Sequence, residues 1–341
     1  MTFKARIGRL IVAMATLGAA SVALGQTIDV VTVDPREHEE QAQAKKPFRL
    51  SVAYAHRFEA DLDKAGRFST DTTRIEFMSQ TGFSQSLFWD NLVAYEFNHY
   101  DFTNTQQAPF PIPPAPPSSP FQVGGDPWND IHQLTYIPSL RWKVDKQWTV
   151  FGGPVLQVAA ESGADFSDGV SGGAIVGCMW TRDSNLSVGG AIAGVSRIED
   201  KFGLAPIPLV NWRFGQGWVL RSGVPDFGAR RGFGVELGWG TDAFEIGGGV
   251  QYQRRRFRLD DDSSSGPKNG VGQESSAPVY AKFTYNMSKA ASLDLFAGVA
   301  LVGELKIEDR NGHDNQLPAA FDNKQQFDPA PIIGARARFL F

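Results

Sequence analysis

This sequence predicts an all-β fold: a transmembrane, antiparallel, up-and-down barrel of about 14 strands, with about 12 as the alternative count. Three observations predict it. Apolar and polar residues alternate with period two in one segment after another. The connections between those segments alternate between tight turns and long polar loops. Six of the 8 tryptophans sit beside the tight turns.

Composition agrees with a folded, β-rich chain. Of 341 residues, 42% are hydrophobic and 21% charged, which excludes a disordered chain. Gly 36 and 12% aromatic content suit many turns. A net charge of -4 gives no reason to expect nucleic acid as a partner. One cysteine, Cys178, rules out a disulfide framework and a Cys-rich zinc site.

Residues 1–25 read as a signal peptide. Lys4, Arg6 and Arg9 form a basic start, and Leu10 to Leu24 an apolar stretch. Ala23 and Gly25 put small residues before a cleavage point at Gln26. Residues 26–46 are expected to be a polar periplasmic tether, and 47–341 the barrel. Export to the outer membrane follows as the expected location.

The strands begin at Phe48. "FRLSVAYAHRF" sets Phe48, Leu50, Val52, Tyr54 and Phe58 against Arg49, Ser51, Ala53, Ala55 and Arg57. The same sorting recurs in "SLFWDNLVAYEFNHY", "LTYIPSLRWKV", "FGVELGW", "FEIGGGVQYQ", "VYAKFTY" and "LDLFAGVALVGELKI". "AIVGCMW" and "PLVNWRF" do not sort cleanly. Tight turns are "VDKQ", "TRDSN", "FGQG", "GTD" and "NMSKA", and a Pro-rich stretch at 108–120 is one of the long loops. Trp142, Trp148, Trp180, Trp212, Trp218 and Trp239 flank tight turns, as an interfacial aromatic girdle requires.

"PIIGARARFLF" closes the sequence with Phe341, Phe339, Ala337, Ala335 and Ile333 on one face and Arg338 and Arg336 on the other. With these residues the chain resembles the bacterial outer-membrane β-barrel class, porin-like, over residues 48–341. "PLVNWRFGQGWVLRSGVP" is similar to repeats in outer-membrane barrel families of unknown function. The resemblance implies that Phe341 and Phe339 act as an assembly signal for the barrel-assembly machinery. It also implies outer-membrane lipids as partners. The oligomeric state stays open.

The second face supplies the expected lumen lining: Arg49, Arg57, Arg74, Glu76, Glu96, Arg141, Lys143, Glu236, Lys282, Glu304, Arg336 and Arg338. Glu245, Asp294 and Lys306 sort with them, and Phe151, Phe296 and Val302 are expected to fill space. Two readings fit such a lining. One is a passive, narrow channel for small polar or amphipathic solutes. The other is a closed barrel that works through its surface loops.

An enzyme comes third. Gly169–Gly173 matches G-x-S-x-G but lies in a Gly/Ser/Asp-rich loop with no helix pattern. A barrel lipase would need Ser, His and a polar orienter clustered at the membrane surface, and no sequence spacing supports one. The five histidines have no metal-ligand spacing, and the acidic loops at Asp165 and Asp260 lack the full EF-hand pattern. "TIDVVTV" resembles an energy-coupling box, but no room for a plug domain follows it. No enzyme activity, cofactor or metal is expected.

Overall fold

In the computed structural model, residues 47–63, 66–103, 126–223, 232–261, 269–312 and 324–341 are described. The expected signal peptide, the tether and the Pro-rich stretch at 108–120 lie outside them. The strands are β1 (Phe48–Asp61), β2 (Arg67–Gly82), β3 (Leu87–Thr103), β4 (Asp130–Lys143), β5 (Trp148–Glu161), β6 (Val170–Asp183), β7 (Leu186–Arg197) and β8 (Asp200–Phe214). They continue as β9 (Trp218–Gly223), β10 (Phe233–Gly240), β11 (Phe244–Arg258), β12 (Val271–Ser288), β13 (Ala291–Glu308), β14 (Lys324–Phe327) and β15 (Ala330–Leu340).

From β1 to β13 each strand pairs antiparallel with the next, β13 pairs with both β14 and β15, and β15 pairs with β1 to close the sheet. β14 and β15 lie on one register line along β13, interrupted only at Asp328–Pro329, so they make a single crossing. The barrel therefore has 14 crossings. At the seam, Phe48 and Phe341 exchange both backbone hydrogen bonds, at 3.2 and 3.0 Å, and their rings lie 6.0 Å apart.

The turns after β2, β4, β6, β8, β10 and β12 are all short and fall at one end. Local chemistry closes them. The Asp145 carboxylate accepts from the Gln147 and Trp148 N–H groups at 2.7 Å each, and Asp183 does the same for Asn185 and Leu186. Gly217, at φ +89°, takes a conformation that a side chain would strain, and an added Cβ would meet Gly240 O at 2.5 Å. The opposite end carries the long loops, but not every connection there is long: β7 and β8 are joined through only Ile198 and Glu199.

Burial is inverted relative to a water-soluble domain. Val52, Ile75, Val93, Leu134, Val176, Ile192, Leu237, Ile246, Val279 and Leu295 face outward and are exposed. Arg49, Arg74, Glu76, Glu96, Arg141, Glu236, Lys282 and Arg336 are buried inside. Trp142, Trp148, Trp218 and Trp239 are exposed at the tight-turn end, Trp180 and Trp212 are half-buried there, and Trp89 joins them. Trp128 is buried at the other end.

Two bulges change which face a residue presents. On β1 the register shifts between Arg57 and Ala60. Opposite the step from Ser276 to Pro278 on β12, β13 runs from Gly303 to Ala300. One extra residue on β13 exchanges the faces above it. Leu301 and Val302 are both exposed, and Gly303, Leu305 and Ile307 turn inward. The expected inward positions of Glu304 and Val302 are therefore corrected. Glu304 faces away from the interior, 2.7 Å from the exposed Lys324, and Val302 is 68% exposed. Lys306 shares that displaced face, 2.8 Å from Glu308.

Candidate functional site

The interior is filled unevenly along its length. At the loop end, Phe68, Tyr100, Phe102, Trp128, Phe257 and Phe327 form a tight aromatic cluster, completed by Leu259, Val271, Leu305 and Ile307. Phe68 and Phe327 pack edge to face at 5.0 Å, as do Trp128 and Phe257 at 5.2 Å. Gly303 leaves room for the Phe327 ring, since a Cβ there would sit 1.7 Å from it. The end of β11 leans across the mouth, where Arg258 pairs in parallel with Ala160 of β5. Glu161, next in β5, accepts from the backbone N–H of Asn129 and of Asp260 at 2.9 Å each, which ties two loops to the rim.

Beneath this cluster, charges meet across the lumen. Five crossings separate β11 from β3 on the shorter way round. Arg255 of β11 nevertheless pairs with Glu96 of β3 and donates to the Tyr100 hydroxyl at 3.0 Å. Glu274 of β12 accepts from Tyr100 and from Arg57 of β1. The chain of pairs then descends the wall: Glu96 to Arg74 at 3.1 Å, Arg74 to Glu76 at 3.5 Å, Glu76 to Arg49 at 3.1 Å. Arg57 also lies over the rings of Phe68 and Phe327, at 4.4 and 5.0 Å. Every one of these charges is nearly dry, so each needs its partners.

A second network lines the tight-turn half. Glu236 accepts from Lys282 at 2.9 Å, Arg221 at 2.8 Å and Tyr280 at 3.2 Å. Arg221 also reaches Glu245 at 2.6 Å. Asp294 pairs with Arg338 at 2.9 Å, and Asp90 with Arg141 at 2.9 Å.

The wall made by β4–β8 is different. Its apolar inward side chains are Ile137, Phe151, Val155, Ile175, Met179, Ala191, Ala193, Val195, Ile207 and Leu209, with Leu92 and Ala94 of β3 beside them. They share that face with Gln133, Thr135, Ser139 and Arg141 of β4 and with Ser171, Ser187 and Asn211. β6 is apolar on both faces, one outward and one into the lumen, which explains why "AIVGCMW" shows no alternation, whereas "PLVNWRF" on β8 sets the polar Asn211 beside Leu209 on its buried face.

At the tight-turn end the interior opens into a cavity of about 540 Å3. Arg141, Lys143 and Thr149 line it on one side, and Phe151 and Met179 on another. Lys143 lies 5.4 Å from the Phe88 ring.

Of the residues expected on the lumen face, all the charged ones but Glu304 and Lys306 lie on inward-facing positions, and most are already engaged in ion pairs. Arg255, Glu274, Tyr100, Arg221 and Asp90 are central to the networks but stood outside the expected set. Arg255 lies in the run "RRRFR", a signal that was there to use. Glu274 gave none, because "GVGQESS" reads as loop although β12 starts at Val271.

No family model matches the chain, and no curated protein is similar to it at a significant level. Among solved structures, it is similar to an outer-membrane channel from Pseudomonas putida F1, with 8% identity and a TM-score of 0.45 over 87% of this chain and 96% of that one. A variant of the TodX monoaromatic hydrocarbon channel gives 9% identity and 0.45 over 87% and 90%. The outer membrane protein Omp33 of Acinetobacter baumannii gives 9% and 0.37 over 87% and 98%. Likenesses of this size carry no argument about this chain, and its barrel stands on its own strand pairing.

Proposed function

We propose that this chain is a bacterial outer-membrane barrel that passes small amphipathic solutes passively, and that the structure is its shut form. Membrane placement is supported by the outward apolar band and the tryptophans gathered at one end. The observation that carries the passage reading is the two-faced lumen. The cavity of about 540 Å3 offers cationic and apolar lining together, and the apolar wall continues inward from it. A solute with a polar head and an apolar body fits both sides. The tight-turn end would be periplasmic, after cleavage of residues 1–25, and Phe339 and Phe341 would present the last strand to the assembly machinery.

The cross-lumen ties favour a second reading, a closed barrel whose work is done by its loops. Single-channel recording in a planar bilayer separates the two. On the first reading, removing Arg255 and Glu274 together (one charge of each sign) raises conductance well above that of the parent protein. Silence from both proteins, each folded and heat-modifiable, would support the closed barrel.

A further inference from the structure

The outer surface carries a polar relay that neither reading uses. Ser162, in the turn after β5, has its hydroxyl 2.9 Å from Nε2 of His132 on β4. Nδ1 of the same ring lies 2.7 Å from the Tyr95 hydroxyl on β3. Strand register brings the three together. Phe97 faces His132 across β3 and β4, and His132 faces Ala160, two residues before Ser162. Tyr95 and its cross-strand neighbour Leu134 both point outward and are exposed.

The ring nitrogens have different partners, and these admit one assignment of roles suited to catalysis. If Nδ1–H donates to the Tyr95 oxygen, Nε2 is unprotonated and accepts the Ser162 O–H. That is the tautomer a general base needs beside a nucleophile. Phe97 and Phe166 lie 5.2 and 6.3 Å from the imidazole, and Phe166 is exposed. Two aromatic rings therefore flank the imidazole at the upper edge of the outward band. Gly163 follows Ser162, with φ +97°, and among the described residues its N–H has no hydrogen-bond partner. A backbone N–H directly after a nucleophile is one half of the usual oxyanion site.

We propose that Ser162, His132 and Tyr95 form a lipid-facing site that hydrolyses acyl esters of membrane lipids. Ser162 Oγ attacks the acyl carbonyl carbon while His132 Nε2 takes its proton. The ester C–O bond then breaks, and His132 returns that proton to the departing lipid alcohol. Water, deprotonated by His132, attacks the acyl-serine. Fatty acid leaves, and Ser162 regains its proton. Tyr95 is a positioning residue that holds the imidazole in the right tautomer. With one candidate oxyanion donor in place of two, turnover is slow, by about 10²–10³-fold. The site rests on the membrane placement proposed above and not on an open lumen.

The test uses the full chain in vesicles of phosphatidylethanolamine and phosphatidylglycerol. A fluorophosphonate probe is added first, and fatty-acid release from the vesicles is followed separately. The expected result is one adduct, mapped to Ser162, with fatty acid released. Ser162→Ala loses both, and His132→Ala slows both by about 10²–10⁴-fold. Tyr95→Phe lowers kcat and leaves KM unchanged. A heat-modifiable barrel that forms no adduct overturns the proposal, as does labelling that persists in Ser162→Ala. A protein that does not become heat-modifiable in vesicles counts against the membrane reading instead. In that case p-nitrophenyl butyrate in micelles still reads the site: hydrolysis that depends on Ser162 and His132 sustains it, and none overturns it.

Discussion

Two walls of one lumen obey different rules. On the proposed membrane placement, the outward face is under the same constraint all round the barrel, because lipid accepts only apolar side chains there. The inward face is free to differ, and it does. β1–β3 and β9–β13 present charges that hold one another, at 2.6 to 3.1 Å for most pairs. β5–β8 present mainly Ile, Val, Met, Ala and Phe, and β4, between the two, adds Gln133, Thr135, Ser139 and Arg141 to Ile137. Ion pairs are directional and fix geometry. Apolar contacts are non-directional and let surfaces slide. A barrel built this way has one stiff wall and one slippery wall, and the specificity of anything that passes is set between them.

The comparison breaks most severely at Glu274. It receives Arg57 and Tyr100 and stands 4.0 Å from Arg255, all in dry surroundings. Glu274→Ala leaves two buried guanidinium groups short of a partner. The expected loss is about 3–5 kcal/mol, the scale for breaking a buried pair from one side. The temperature at which the barrel loses its heat-modified mobility on a gel measures it. An unchanged temperature would mean that water already reaches these charges. The outer half would then not be sealed.

A smaller effect sharpens the electrical side. Arg336 is buried, and Arg338 is bound to Asp294 at 2.9 Å. Replacing both with Gln removes two positive charges and leaves Asp294 in the lumen wall. If solutes pass this wall, ion selectivity shifts toward cations, read as a reversal potential in a salt gradient. No shift would place the conducting path elsewhere.

How far these walls could be read in advance depended on the local rule each strand obeys. Where an exposed apolar face backs a charged inward one, alternation is unambiguous: Arg49, Arg74, Glu236 and Lys282 were legible from period two alone. Three things hid the rest. A bulge at Leu301–Val302 exchanges faces without a composition signal, and it moved Glu304 out of the lumen. The outer ends of β11 and β12 are polar on both faces, so Arg255 and Glu274 looked like loop. β6 is apolar on both faces, which erases its alternation altogether. Ser162, His132 and Tyr95 are far apart in sequence and meet only through strand register, which no spacing rule encodes.

The mildest break lies on the slippery wall. Ile175 of β6 is buried among Met179, Ala193 and Ile207 in the apolar cluster. Ile175→Val removes one methylene and no polar contact. The expected cost is about 0.5–1.5 kcal/mol, since the neighbours close only partly over so small a gap. That is well below the effect of Glu274→Ala, although both side chains are equally hidden from solvent. The same thermal shift on a gel measures both. If the two variants lose similar amounts, the charged wall gains nothing from its pairing that a packed apolar wall lacks, and the distinction between a stiff and a slippery wall fails. If Ile175→Val is the milder and also changes conductance, the apolar wall lines the path.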